Sequence, residues 1–227
     1  MRAPVTELVK IASETPTPLS AIWIKPHDAR ACLVLAHGAG AGMTHAFMEQ
    51  VATGLAQHGV ATLRFQFPYM EKGSKRPDQP AVAHAAIRDA VAEARRRCGK
   101  RPLLAGGKSF GGRMTSQAQA LAPLGGVRGL VFLGFPLHPA GNPSVGRAEH
   151  LDGIRVPMLF VQGTRDKLAE PELLAPVVRG LGKHATLHPI ADADHAFHVP
   201  ARTGRRDSDV ISEICGAVAG WIDREID

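Results

Sequence analysis

Short runs of unbroken apolar residues alternate along the chain with stretches in which apolar residues recur at helical spacing. The first pattern suits strands buried on both faces, the second one face of a helix. Two strand-like runs come first, Glu7–Ala12 and Ser20–Lys25, separated by a Pro-rich turn. Ala31–Ala36 (ACLVLA) predicts a fully buried strand, which runs into the Gly-rich stretch His37–Gly42. Phe47, Val51 and Leu55 predict a helix over Ala46–Gln57 that Gly59 stops, and Val60–Phe65 predicts the next strand. A long loop, Pro68–Pro80, is expected before a helix over Ala81–Arg97 with Ile87, Val91 and Ala94 on one face. Pro102–Ala105 predicts a short strand, Gly111–Leu121 a helix, Gly129–Leu133 a buried strand and Pro136–Pro143 a Pro/Gly-rich excursion. Val156–Val161 follows as a strand, Pro171–Leu181 as a helix with proline suited to its first turn, and Ala185–Pro189 as the last strand. Ile211, Ile214, Val218 and Trp221 mark a closing amphipathic helix. This alternation predicts an α/β fold: a mostly parallel twisted sheet with helices on both faces, in a single domain over residues 1–227. Ligands of such sheets bind outside the carboxyl ends of the strands, so chemistry is sought in the loops that follow them.

Composition changes this picture little. A chain that is 44% hydrophobic and 21% charged suits one sizeable core, and with only 5% aromatics that core must rest on Ala, Val, Leu and Ile. The net charge of +6 is spread along the chain. Its densest cluster, Arg95, Arg96, Arg97, Lys100 and Arg101, closes a predicted helix, where the helix dipole favours cations. No nucleic-acid module pattern appears, no window approaches a membrane span, and the N-terminus lacks an apolar signal core. A cytoplasmic protein with neither nucleic acid nor membrane as partner is expected. Cys32, Cys98 and Cys215 fit neither a zinc site nor a disulfide framework and read as small buried or half-buried residues in a reducing cytosol.

Candidate chemistry centres on Gly107-Lys108-Ser109-Phe110-Gly111, a G-x-S-x-G pattern between an apolar strand and a helical pattern. A sharp strand-to-helix turn strains the serine backbone, leaves no room for side chains two positions either side, and pushes the hydroxyl out at the sheet edge. A serine hydroxyl needs a base within hydrogen-bond reach and an acid behind the base, which on such an elbow follow in the order Ser, acid, His. Asp166, in Gln162-Gly163-Thr164-Arg165-Asp166 directly after a buried strand, is the candidate acid; Gly134-Phe135-Pro136 after the preceding strand offers no carboxylate. His195 is the candidate base, with His198 as the alternative, and Asp192 and Asp194 are expected to shape the turn around it. The small residues of His37–Gly42 can bring backbone N–H groups to a substrate carbonyl. Ala39 is assigned as one oxyanion donor, with Gly40 as fallback, and Phe110 as the other. A P-loop and a dinucleotide fingerprint both fail on residue type here. There is no HExxH, and neither His184/His188 nor His195/His198 has an obvious third ligand, so no metal and no cofactor are expected. Lys108, Arg113 and Arg165 flank these positions, either attracting an anionic substrate or, more simply, pairing with nearby carboxylates or ending in solvent.

Together these motifs resemble the α/β-hydrolase superfamily across nearly the whole chain. Arg64–Gly73 (RFQFPYMEKG), Phe135–Pro139 (FPLHP), Glu149-His150-Leu151 and Gln162–Asp166 are similar to a narrower branch, shared by small bacterial proteins, animal testis-expressed proteins and a subunit of the NSL acetyltransferase complex. That branch is similar to the dienelactone hydrolases but distinct from them. The resemblance implies an α/β-hydrolase fold and a Ser109–Asp166–His195 arrangement, without implying a substrate. The short segment Pro136–Arg155 leaves no room for a large lid, so a small soluble acyl substrate cleaved by an esterase-like serine hydrolase is expected. A thioesterase or peptidase would use the same three residues, and a non-catalytic scaffold on this frame is the rival from another class. Oligomeric state is not legible in the sequence.

Overall fold

The computed structural model describes residues 3–13 and 18–226. The Pro-rich turn expected between the first two strands falls largely on residues 14–17, outside the described residues. Among the described residues, eight strands form one sheet: β1 Val5–Ile11, β2 Leu19–Lys25, β3 Ala31–Ala36, β4 Val60–Phe65, β5 Leu103–Lys108, β6 Val127–Leu133, β7 Met158–Gly163 and β8 Ala185–Ile190. Their order is β1-β2-β4-β3-β5-β6-β7-β8. β1 pairs antiparallel with β2 and β2 antiparallel with β4, while every pairing from β4 across to β8 is parallel. This is the expected α/β sheet.

Strand alternation sorts the core into two layers. In β3, Ala31, Leu33 and Leu35 join a cluster with α1 (Ala46–Gln57) and α6 (Asp207–Glu225). Cys32, Val34 and Ala36 join the cluster on the other face, under α3 (Pro80–Cys98) and α4 (Phe110–Leu121), to which α5 (Pro171–Gly180) adds Leu174 and Val178. Both layers are closed, so β3 is buried along its whole length. All three cysteines are buried and free. No helix among the described residues is long and apolar enough to cross a membrane.

Three segments differ from the expectation for physical reasons. β5 runs on through Gly106 and Gly107, where the pattern predicts a turn. A side chain at Gly106 would place its Cβ 1.8 Å from the Val131 carbonyl oxygen, so the glycines serve close strand packing as well as the bend. β7 begins at Met158 rather than Val156, because Pro157 has no N–H to give the ladder. The Pro68–Pro80 loop opens with a short helix, α2 (Pro68–Glu71), for which Pro68 at the first turn is preset.

The sheet order places the site. From β3 the chain moves to β4 on one side and returns to β5 on the other, so a crevice opens where the loops after β3 and β5 part. The Gly-rich loop leaves β3 there, and Ser109 leaves β5 there.

Candidate active site

Ser109 stands between the last residue of β5 and the first residue of α4 with φ 49° and ψ −114°. An L-residue rarely adopts such a conformation, which costs on the order of 1–3 kcal/mol. The neighbours leave little alternative. A Cβ at Gly107 would lie 2.3 Å from the Ala36 carbonyl oxygen, and one at Gly111 2.5 Å from the same atom. The elbow therefore packs directly on the end of β3. Two other non-glycine residues have positive φ, Asp192 at 59° and Phe197 at 66°, and both lie in the His195 loop. Among the described residues, all such backbone strain outside glycine falls in the two segments that carry Ser109 and His195.

The three sequence candidates meet. The Ser109 hydroxyl lies 2.8 Å from His195 Nε2, and His195 Nδ1 lies 2.7 Å from Asp166 Oδ2. With the imidazole proton on Nδ1, Nδ1–H donates to the carboxylate and Nε2 accepts from the serine. Asp166 is 1% exposed. Each of its oxygens is occupied: Oδ2 also accepts from Gln162 Nε2 at 2.6 Å, and Oδ1 accepts from the Leu168 N–H at 2.8 Å. Gln162 Oε1 in turn accepts from the Phe135 N–H at 2.8 Å, so the amide is fixed from both ends. The last residue of β7, Gly163, lets the acid and base loops touch; a Cβ there would sit 2.3 Å from the Ala193 carbonyl oxygen. Asp194 shapes the base loop as expected, its Oδ1 accepting from the N–H groups of Ala196 and His198. His198 faces elsewhere and pairs with Asp207 at 3.0 Å.

The loop after β3 is held by the segment after β4. His37 is fully buried; its Nδ1–H donates to the Gly38 carbonyl at 2.8 Å, and its Nε2 accepts from the Phe67 N–H at 3.2 Å. Burial lowers its pKa to about 4, which matches a ring used as donor on one side and acceptor on the other. The Gly40 N–H donates to the Tyr69 hydroxyl at 3.0 Å, and the Met43 N–H to Gln66 Oε1 at 2.8 Å. The Arg64 guanidinium donates to the Met43 carbonyl at 3.1 Å. Arg64-Phe65-Gln66-Phe67-Pro68-Tyr69 thus serves as the brace of the Gly-rich loop, a role that only the pairing of β3 with β4 makes possible.

Lys108 does not pair with a carboxylate. Its ammonium donates to the His195 carbonyl at 2.6 Å and lies over the rings of Phe197 and Phe47, 5.3 and 5.9 Å from their centroids. Those rings stack at 5.5 Å. Desolvation lowers the Lys108 pKa to about 8, against the opposing pull of Asp166 and Asp194. Arg165 points to solvent. The sequence presents His37 and Gln162 only as the first residues of the His37–Gly42 and Gln162–Asp166 segments, and gives no sign of the link from Lys108 to the base loop.

Beside Ser109 lies a cleft of about 250 Å³, lined by Ala39, Phe47, Met48, Lys108, His195 and Ala196 among others. The segment between β6 and β7 adds no lid over it: its 3-10 turn, Gly146–Gly153, lies against α4. A family model described as an alpha/beta hydrolase domain matches residues 29–223. The chain belongs to the alpha/beta hydrolases. Similar solved structures include a dienelactone hydrolase from Anabaena variabilis (18% identity, all of both chains covered, TM-score 0.77). A lidless serine hydrolase of this fold from Xanthomonas campestris is 19% identical over 95% of this chain and 94% of that one, with TM-score 0.73. Est1E from Butyrivibrio proteoclasticus, solved with ferulic acid bound, is 17% identical over 96% and 99%, with TM-score 0.76. At these identities the likeness is one of fold.

Proposed function

We propose that this alpha/beta hydrolase is a cytoplasmic serine hydrolase that cleaves a small soluble ester through an acyl-enzyme. The observation that carries the reading is the continuous hydrogen-bonded line from the Ser109 hydroxyl through His195 to the buried Asp166, at 2.8 and 2.7 Å. Ser109 Oγ attacks the ester carbonyl carbon while its proton passes to His195 Nε2. Asp166 keeps the imidazole in the tautomer that can accept it and stabilises the imidazolium formed. The carbonyl oxygen, now negative, accepts from the N–H groups of Ala39 and Phe110. Phe110 is the first residue of α4, so its N–H has no acceptor within the helix. The N–H of Gly40, the other candidate, already donates to Tyr69, which supports Ala39 for this role. The imidazolium then gives its proton to the leaving alkoxide oxygen as the C–O bond breaks. Water repeats the sequence on the acyl-enzyme and returns Ser109 to its hydroxyl.

The strain at Ser109, the saturated hydrogen bonding of Asp166 and the brace around the Gly-rich loop support this reading, since each positions a group before substrate arrives. The small cleft supports a small acyl or alcohol group. The fold likeness to Est1E, solved with a carboxylic acid bound, points the same way. The test is reaction with a fluorophosphonate probe together with turnover of short-chain 4-nitrophenyl esters. Wild type is expected to label and turn over, and Ser109→Ala to lose labelling and all but a residue of turnover. A wild-type protein that stays unlabelled, or an alanine variant with near-normal turnover, refutes the assignment.

A further inference from the structure

On the α3 side of Ser109, away from the cleft, two half-buried arginines stand without an acidic partner. Arg113 lies one helical turn beyond Ser109 on α4, its N–H donating to the Ser109 carbonyl at 3.0 Å. The two backbones therefore meet directly, and the Arg113 side chain leaves α4 one turn beyond the nucleophile. Arg147 reaches the same place from the 3-10 turn that packs on α4, close enough for the two guanidiniums to repel each other. His150 and Glu149 from that turn and His84 and Arg88 from α3 stand nearby, and Glu149 forms no ion pair with either arginine. His150 accepts from or donates to the Ser116 hydroxyl at 2.7 Å, and His84 Nε2 lies 3.4 Å from Gln117 Oε1. Burial, reinforced by Arg113 and His84, holds His150 to about 4, so at neutral pH it adds no charge.

Elsewhere among the described residues, arginines that leave the solvent have at least one partner, although Arg64, which donates to the Met43 carbonyl, also keeps a buried Nε unsatisfied. Arg97 pairs with Glu93 and Glu7, Arg30 with Asp223, and Arg205 with Glu213. Arg88 donates to the carbonyls of Ala118 and Ala122, and Arg101 to those of Ala29 and Cys98. Among the described residues, Arg113 and Arg147 make no ion pair and no side-chain hydrogen bond, and Arg113 Nε is buried with no partner at all. Burial lowers the pKa of both, and Arg147 lowers that of Arg113 further. Two like charges drawn together out of water, with donors unspent, are unfavourable unless something negative joins them. Guanidinium forks match the two oxygens of a carboxylate or of a comparable oxyanion.

We propose that Arg113 and Arg147 form a subsite for a carboxylate carried by the substrate, on the side of Ser109 opposite the cleft. This rests on the serine-hydrolase reading. The ester would straddle the nucleophile, with one portion in the cleft beside Phe47 and the other carrying its acid group along α4. The subsite thus selects acidic esters over neutral ones. Because either portion of an ester can bear the acid, two acidic probes are needed: 4-nitrophenyl hemiglutarate, acidic on the acyl side, and 3-carboxyphenyl butyrate, acidic on the leaving-group side. 4-Nitrophenyl butyrate and phenyl butyrate are their neutral counterparts.

Wild type is expected to favour at least one acidic probe over its neutral counterpart by tenfold or more in kcat/KM, with the preference shrinking as salt rises. In Arg113→Gln and in Arg147→Gln that ratio is expected to fall at least tenfold, chiefly through KM of the acidic ester. A fold defect would lower both esters together and leave the ratio in place, and Arg147→Gln, on a surface turn, guards against misfolding of the helix variant. A fluorophosphonate-reactive wild type with no acidic preference, or variants that keep it, overturns the proposal while leaving the hydrolase reading intact. If wild type does not react with the probe at all, the hydrolase reading fails on its own, and calorimetry with glutarate decides the subsite. Binding that both variants lose supports an anion site there; no binding overturns it.

Discussion

The two flanks of Ser109 differ in how their polar groups are satisfied. On the His195 flank the buried polar side chains have protein partners: Lys108 the His195 carbonyl, Gln162 the Asp166 carboxylate and the Phe135 N–H, Asp166 both Gln162 and Leu168. On the α3 flank Arg113 and Arg147 have none. A buried network with all its partners present is already in its working geometry and can only position. A desolvated cation pair without a partner is a binding surface that awaits one. In the proposed reaction, spent hydrogen-bonding capacity marks the groups that would orient it and unspent capacity those that would choose the substrate.

Ser109→Ala should lower ester turnover by roughly 10⁴-fold or more, measured as kcat on 4-nitrophenyl butyrate, with a residue left to the oxyanion donors. Asp166→Asn keeps the shape but alters the acceptor of His195 Nδ1–H, and a loss of about 10³- to 10⁴-fold in kcat is expected with little change in KM. A KM effect of the same size would instead place Asp166 in substrate binding.

Next comes acid stability. His37 has a folded pKa of about 4 against an ordinary 6.5, so as pH falls the unfolded chain takes up this proton first. Stability is therefore lost as pH drops from about 6.5 to about 4, by about 3 kcal/mol from this group alone. Urea unfolding at a series of pH values should show that slope, and His37→Gln should flatten it.

Lys108→Met retains the packing against Phe47 and Phe197 but drops the bond to the His195 carbonyl. About a tenfold fall in kcat is expected. Because the ammonium of Lys108 titrates at about 8, wild type should also show an alkaline decline in kcat near that pH that the methionine variant lacks. If neither appears, the partnered flank is packing rather than positioning. The smallest effect is expected for Tyr69→Phe, which frees the Gly40 N–H from one brace; a few-fold loss of kcat, on the order of 1 kcal/mol, would be read in the same assay.

Much of this molecule was legible along the chain. The buried strands announced themselves because a strand covered on both faces must be apolar throughout, and β3, β4 and α1 have the limits that their patterns predict. Ser109 was legible because a strained elbow needs glycine on either side, a local steric demand. Asp166 and His195 could be placed by chain order at strand ends. Local pattern failed where the cause lies in a neighbouring strand. Gly106–Gly107 reads as a turn until β6 is beside it, and α2 reads as loop until the Gly-rich loop needs Tyr69. The chain alone left Lys108 and Arg113 alike, two cations near a nucleophile. Only the tertiary structure separated them, because whether a buried charge has a partner depends on what other segments bring within hydrogen-bond reach, and neither composition nor spacing carries that information.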